Sequence, residues 1–183
     1  MIGILDIKEH ACDKPKNSQK EKDTFSGKKK INSWKNFSVM DYTGRFIYVL
    51  VGLAKNDRDF LTSTPLYMQE GSWFDIGQYL ATDGGFFGDG PIRFSYNDCE
   101  NDLNKILYNL TFKEVRMGIE TAFSRVCRWF PLLGNNKAKF NYDDHTMQLA
   151  IHAASLLHNW MMNTENLSYD SLSSPETYFK AYY

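Results

Sequence analysis

Three acidic residues lie at positions in this sequence that suit metal-dependent chemistry. Asp6 directly follows the apolar run Met1–Leu5. Asp83 comes shortly after a second apolar run, and Glu120 lies further along, in a stretch with helical periodicity. Mg²⁺ prefers hard oxygen ligands and is held by a few carboxylates together with waters and substrate phosphates. Acids placed this way can hold two divalent cations about 3.5–4 Å apart, one activating the attacking oxygen and the other stabilising the leaving oxygen.

Two of these acids also have a simpler interpretation. Asp83 precedes Gly84 and Gly85, and Asp before Gly commonly starts a turn. Glu120 lies four residues after Arg116, a spacing that pairs the two side chains on one helix face. An exposed pair of that kind contributes only ~0.3–0.5 kcal/mol to stability.

The elements that would position the first two acids are buried strands. Short apolar runs closed by turn residues are typical of such strands, which predicts one at Met1–Leu5 and one ending at Ala81. Ligands of open α/β sheets gather beyond the carboxyl ends of the strands. Between the two runs, Trp34–Asp41 and Arg45–Val51 flank a short turn with Gly44, which predicts a β-hairpin.

The third acid depends on a helix. Thr111 followed by Glu114 has the spacing of a capping box and predicts the helix start, and Pro131 predicts its end. Arg93 to Leu107 is then a polar connection of undefined structure. A second amphipathic helix is predicted over about 145–163.

Other metal or redox sites are not indicated. His152 and His158 have no acidic or cysteine partner at metal-ligand spacing, so we expect them to pack or to form hydrogen bonds. Cys12, Cys99 and Cys127 are far apart and form no C-x-x-C pair, which favours a reducing compartment over a disulfide framework. No stretch approaches the ~20 apolar residues of a membrane span.

Overall charge does not predict a nucleic-acid partner, because the net charge is only −1. Such a partner would have to meet a local basic surface. The lysine-rich segment from Cys12 to Lys30 ends in G-K-K-K and is predicted to be a solvated loop.

Several segments together resemble the DDE-superfamily endonuclease domain of PIF/Harbinger-type transposases. The similarity runs from Gly3 to about Asn159 and depends on the joint order and spacing of its motifs. They are G-I-L-D at Gly3–Asp6, V-M-D-Y-T-G-R-F-I-Y at Val39–Tyr48, N-D-R-D-F-L-T-S-T-P-L-Y at Asn56–Tyr67, L-A-T-D-G-G-F at Leu80–Phe86, R-M-G-I-E-T-A-F-S-R-V-C-R-W-F-P-L-L at Arg116–Leu133 and L-L-H-N at Leu156–Asn159.

The resemblance implies an α/β, ribonuclease-H-like fold, a mixed sheet flanked by helices. It makes Asp6, Asp83 and Glu120 the catalytic and metal-binding triad for Mg²⁺ or Mn²⁺, with Asp57 as a further, secondary candidate. Without the resemblance, Asp57 is a loop aspartate of the kind that caps a turn or helix. The endonuclease domain would span residues 1–163, and residues 164–183 would form an irregular tail.

The same resemblance implies DNA as the substrate, since the family cuts element ends and joins a DNA 3′-hydroxyl to a target strand. It also implies a separate Myb-like DNA-binding partner and a nuclear location. The family carries a helix-turn-helix-like segment before its first catalytic strand, and we expect that segment to be missing here. The residues predicted to contact DNA phosphates are Lys28, Lys29, Lys30, Arg125 and Arg128.

Two other functions remain open at this stage. A degenerate or domesticated copy would serve as a non-catalytic interaction or DNA-binding protein. An unrelated α/β protein would instead bind phosphate through the glycines of Asp83–Gly90, although the stretch lacks the G-K-[ST] of a P-loop.

Overall fold

The computed structural model describes residues 1–27, 29–53, 56–68, 73–84, 86, 91–97, 101–134 and 143–164 of the 183-residue chain. These residues form an α/β fold. Its elements, in chain order, are β1 Gly3–Ala11, α1 Ser18–Thr24, β2 Phe25–Ser26, β3 Ile31–Met40, β4 Phe46–Gly52, α2 Asp57–Thr62, α3 Pro65–Met68, β5 Leu80–Ala81, β6 Ile92–Arg93, α4 Leu103–Trp129, α5 Pro131–Gly134 and α6 Asp144–Thr164.

The described strands form one six-stranded mixed sheet with β1 at its centre. On one side β1 pairs antiparallel with β3, from Ile4 opposite Met40 to Ala11 opposite Ser33. On the other side it pairs parallel with β5, which in turn pairs parallel with β6. β4 and β2 pair with different parts of β3. This mixed sheet flanked by helices confirms the predicted ribonuclease-H-like fold class.

The predicted hairpin is confirmed, with a first strand that begins three residues earlier than the sequence indicated and a second strand shifted by one residue. The carboxylate of Asp41 accepts hydrogen bonds from the backbone N–H groups of Thr43, at 2.8 Å, and Arg45, at 3.0 Å. Gly44 has a φ of 87°, a conformation that favours glycine. Local turn chemistry therefore determined this connection.

The core lies on both faces of the sheet, because successive side chains of a strand point to opposite sides. Ile4 of β1 packs on the face covered by α4 and α6. Leu5, the next residue, packs on the other face, against side chains of α2. The face of Ile4 is therefore the one on which β1 meets the long helix α4.

Helix α4 begins earlier than predicted. It starts at Leu103, where the Asp102 side chain accepts hydrogen bonds from the N–H groups of Asn104 and Lys105. Thr111 and Glu114 lie inside the helix, so the capping-box prediction was wrong. The S/T-x-x-E pattern does not mark a start when an aspartate further upstream already caps the helix.

Helix α6 covers the edge strand β4. The Asn159 side chain forms two hydrogen bonds with the backbone of Phe46, donating to its carbonyl at 2.8 Å and accepting from its N–H at 2.9 Å. The rings of His152 and His158 bond the carbonyls of Val49 and Gly44. The bonds to Phe46 and Val49 satisfy backbone groups that an edge strand leaves unpaired, and the bond to Gly44 holds the hairpin turn. The expectation that both histidines form hydrogen bonds is confirmed.

Two further boundaries differ from the predictions. β1 extends to Ala11, so Asp6 lies within the strand and not at its end. The segment predicted as a solvated loop contains the short helix α1, which Asn17 caps, and then β2. No helix in the described ranges is long and apolar enough to cross a membrane. The predicted tail, apart from Thr164 at the end of α6, lies outside the described residues.

Candidate active site

Asp6 and Asp83 are placed by the parallel pairing of β1 and β5. Ile4 and Ala81 are partners in that pairing, and each acid lies two residues further along its own chain segment. A two-residue step keeps a side chain on the same face of an extended strand, and paired strands lie about 4.8 Å apart. Both acids therefore lie at the same level of the sheet, on the face that Ile4 shares with α4.

Glu120 comes to this face from α4. Ile119, Ala122 and Phe123 of the helix are buried against the sheet, so the helix is held in a fixed rotation over β1. Arg116 and Glu120 lie at the border of this buried surface. The same guanidinium nitrogen of Arg116, Nη1, lies 2.7 Å from Glu120 Oε1 and 4.0 Å from Asp6 Oδ2.

The three acids share one electrostatic environment. The pKa of Asp6 is raised to about 6, first by burial and then by the negative charges of Asp83 and Glu120. The N–H of Ile7, which donates to the Asp6 carboxylate at 2.7 Å, and the charge of Arg116 lower this pKa in part. Asp83 and Glu120 are thus close enough to oppose the ionisation of Asp6.

The three acids carry the oxygen donors that a divalent cation prefers. A bound cation would also relieve the repulsion between their negative charges. Their present conformation does not assemble a complete ligand set. In the described part of the chain, no group of three His, Cys, Asp or Glu side chains is positioned to hold a metal ion. The Glu120 carboxylate is instead bound to Arg116. The site fits a divalent cation provided that the Glu120 side chain turns towards the two aspartates.

Asp57, the secondary candidate, lies elsewhere. Its carboxylate accepts a hydrogen bond from the ammonium group of Lys35 at 2.6 Å. Lys35 is the cross-strand partner of Glu9, an odd-numbered residue of β1 that points away from the face of Asp6. Asp57 is therefore on the opposite side of the sheet from Asp6, where it also begins helix α2.

The described members of the set predicted to contact DNA lie in two parts of the fold. Lys29 pairs with Glu9 at 3.0 Å, and Lys30 next to it is exposed. Arg125 lies on α4 with its guanidinium 3.5 Å from the sulfur of Met162 on α6, and Arg128 is exposed one turn later. Lys28 lies outside the described residues, as do Gly85 and residues 87–90 of the glycine stretch.

Sequence reasoning missed one residue of the candidate site, Arg116, which lies between Asp6 and Glu120. The spacing of Arg116 and Glu120 indicated a pair on the helix face, and that pair is present. The approach of Arg116 to Asp6 joins residues far apart in sequence and had no local signal. Its position on the same helical stripe as Glu120, beside the apolar one, was the available hint.

The comparison with known families agrees with this geometry. The family model described as DDE superfamily endonuclease matches residues 5–159, which include all three acids and most of the described elements. No curated protein and no solved structure matches the chain.

Proposed function

Because the chain belongs to the DDE superfamily endonucleases, we propose that it is a metal-dependent DNA nuclease or transposase domain with Asp6, Asp83 and Glu120 as its triad. The observation that carries the proposal is the convergence of these residues. Asp6 and Asp83 lie at the same level on neighbouring parallel segments. The charges of Asp83 and Glu120 both raise the pKa of Asp6. Acids spread over the whole domain would not influence one another in this way.

The chain contributes positioned carboxylates. Asp6 is held by the central strand and by the N–H of Ile7, so its orientation is set before any ligand arrives. Asp83 continues from β5 beside it, and Glu120 approaches from α4. A bound pair of Mg²⁺ or Mn²⁺ ions would activate the attacking oxygen and stabilise the leaving oxygen of a DNA phosphodiester.

The finer assignments rest on the motif resemblance. We propose a PIF/Harbinger-type transposase origin, with DNA as the substrate, a separate Myb-like DNA-binding protein as the partner and the nucleus as the place of action. Lys28, Lys29, Lys30, Arg125 and Arg128 are the candidates for contacts with DNA phosphates. Because the described members of this set lie in the turn before β3 and on α4, they would bind DNA at more than one place along its backbone.

One observation favours the non-catalytic alternative. Glu120 is bound to Arg116 in the conformation described, and a chain that keeps this pair has an incomplete triad. A degenerate or domesticated copy would keep the fold and the acids without being able to assemble them around a cation.

A metal titration tests the proposal. We expect Mg²⁺ to raise the melting temperature of the wild-type protein, because a cation that binds only the native state stabilises it by about 2.7 kcal/mol at 100 times its Kd. The shift should be much smaller for Asp83→Asn. Asp13→Asn, which changes an exposed aspartate after β1, is the matched control and should behave as wild type.

DNA cleavage is then measured with the same three proteins. Wild type and the Asp13 control should nick a duplex in Mg²⁺ but not in EDTA, and Asp83→Asn should not. Equal thermal shifts in all three proteins would mean that the cation binds elsewhere. No Mg²⁺-dependent thermal shift and no cleavage in any of the three proteins would instead favour the non-catalytic alternative.

A further inference from the structure

Arg116 is positioned between two of the three acids. Its Nη1 atom is 2.7 Å from Glu120 Oε1 and 4.0 Å from Asp6 Oδ2. The Arg116 side chain is 27% exposed and that of Asp6 is 18% exposed, so the contact between helix and strand is partly shielded from water. Glu120 is 48% exposed and has space to move.

The position of Arg116 follows from how α4 packs. Ile119 is completely buried, which fixes the helix rotation, and Arg116 and Glu120 lie four residues apart on one side of it. A guanidinium group carries several N–H donors in one plane, so it can face two carboxylates at once. Glu120 and Asp6, which repel one another, thereby share a positive partner.

The ion pair between Arg116 and Glu120 also occupies the Glu120 carboxylate, which the metal site needs. Asp6 lies in β1 and Asp83 follows β5, whereas the Glu120 carboxylate contacts Arg116 of its own helix at 2.7 Å. Within the described ranges no three-ligand metal group is formed. Glu120 must therefore leave Arg116 before it can complete the triad.

We infer that Arg116 is a positioning residue that holds Glu120 in the metal-free protein and competes with the divalent cation for it. This inference rests on the proposed function, since it concerns the same site. Arg116 serves as an internal counter-charge: it joins α4 to β1 when no metal is present and weakens metal binding by its positive charge. The metal-free site is thus stabilised by Arg116. Binding of the cation requires the Glu120 carboxylate to leave Arg116 and contact the metal instead.

The test is the Mg²⁺ affinity of Arg116→Gln, measured by calorimetry. Removal of the competing charge should tighten Mg²⁺ binding about fivefold, because a unit charge a few ångströms from a partly shielded ion has an effect of this order. In EDTA the variant should melt below wild type. Arg116→Lys keeps the charge and should return the Kd towards the wild-type value.

Lys113→Gln is the matched control, because it removes one positive charge from an exposed position of the same helix. It should leave the Mg²⁺ affinity unchanged. An Arg116→Gln protein that binds Mg²⁺ with wild-type or weaker affinity would overturn the inference. If Arg116→Gln does not fold, the Arg116→Lys protein decides in its place. Its lysine keeps the charge but forms a weaker ion pair with Glu120, so Mg²⁺ should bind slightly more tightly than to wild type. Weaker Mg²⁺ binding would overturn the inference.

The outcomes separate this inference from the proposed function. If wild type and Asp83→Asn bind Mg²⁺ equally, the triad is not the metal site and the proposed function fails. If Asp83→Asn loses Mg²⁺ binding while Arg116→Gln keeps the wild-type Kd, the metal site stands. Arg116 is then only a helix-surface partner of Glu120.

Discussion

Replacing Asp6 by Asn should stabilise the metal-free protein at neutral pH. The pKa of Asp6 is raised from its ordinary value of 3.8 to about 6, mainly because the side chain is buried. A difference of this size corresponds to about 3 kcal/mol of folding free energy. Asn removes the charge but keeps an oxygen that can accept the N–H of Ile7.

The sign of the effect depends on pH. Below about pH 4 Asp6 is protonated in the folded and the unfolded chain, and its ionisation has no influence on stability. Between about pH 4 and 6 the unfolded chain ionises first, so the free energy of unfolding falls as the pH rises. The Asn variant should therefore match wild type near pH 4 and exceed it by up to about 3 kcal/mol near pH 8.

The measurement is urea unfolding of both proteins in EDTA across this pH range. The difference between the two curves is more informative than the wild-type curve, because burial also lowers the pKa of His10 to about 4. His10 makes stability rise with pH over the same interval and is present in both proteins. The exposed-site variant Asp13→Asn should show no such trend.

Two results would refute this reasoning. One is a difference between Asp6→Asn and wild type that does not change with pH. The other is an Asn variant less stable than wild type near pH 8. Added Mg²⁺ should reverse the order of the two proteins, since only wild type keeps the full set of carboxylates for the cation.

The remaining predictions concern the scaffold and the DNA contacts. Gly3→Ala should lower the free energy of unfolding by about 1–3 kcal/mol in urea, because the new Cβ would lie 2.8 Å from the Met40 carbonyl oxygen and 2.9 Å from a methyl group of Val39. Gly27→Ala, whose Cβ would meet no atom within 4 Å, is its control, and equal costs would contradict the packing argument. Binding to a random duplex should weaken steeply with salt, and the slope should become shallower when five cations are changed to Ala. An unchanged affinity and slope would show that DNA binds elsewhere than at Lys28, Lys29, Lys30, Arg125 and Arg128.

Elements governed by local chemistry were predictable from the sequence. The hairpin depends on the Asp41 side chain and on a glycine at positive φ, and both are visible in the printed residues. The second predicted helix, about 145–163, agrees closely with α6, because its apolar residues recur at helical spacing.

The predicted boundaries of β1 and α4 were wrong because long-range contacts outweighed the local sequence pattern. The strand β1 continues through polar residues because distant segments give them partners: His10 bonds the carbonyl of Leu133 and Glu9 pairs with Lys29. The first turns of α4 carry exposed leucines, Leu103 and Leu107 among them, so no clear amphipathic signal marked the true start.

The sequence by itself determined the types of donor and the elements that carry them. Apolar runs before Asp6 and Asp83, and helical periodicity around Glu120, assign two acids to the sheet and one to a helix. These signals are local, because burial and periodicity depend on neighbouring residues.

Only the tertiary structure decided that the three acids lie on one side of the sheet, with Arg116 between Asp6 and Glu120. The parallel register of Ile4 and Ala81 brings two aspartates to one level, and the buried face of α4 turns Glu120 and Arg116 towards them. Asp57, equally acidic in sequence, is carried to the opposite face by α2. Strand register and helix rotation are set by packing between distant segments, and no local pattern encodes which distant partner a side chain will face.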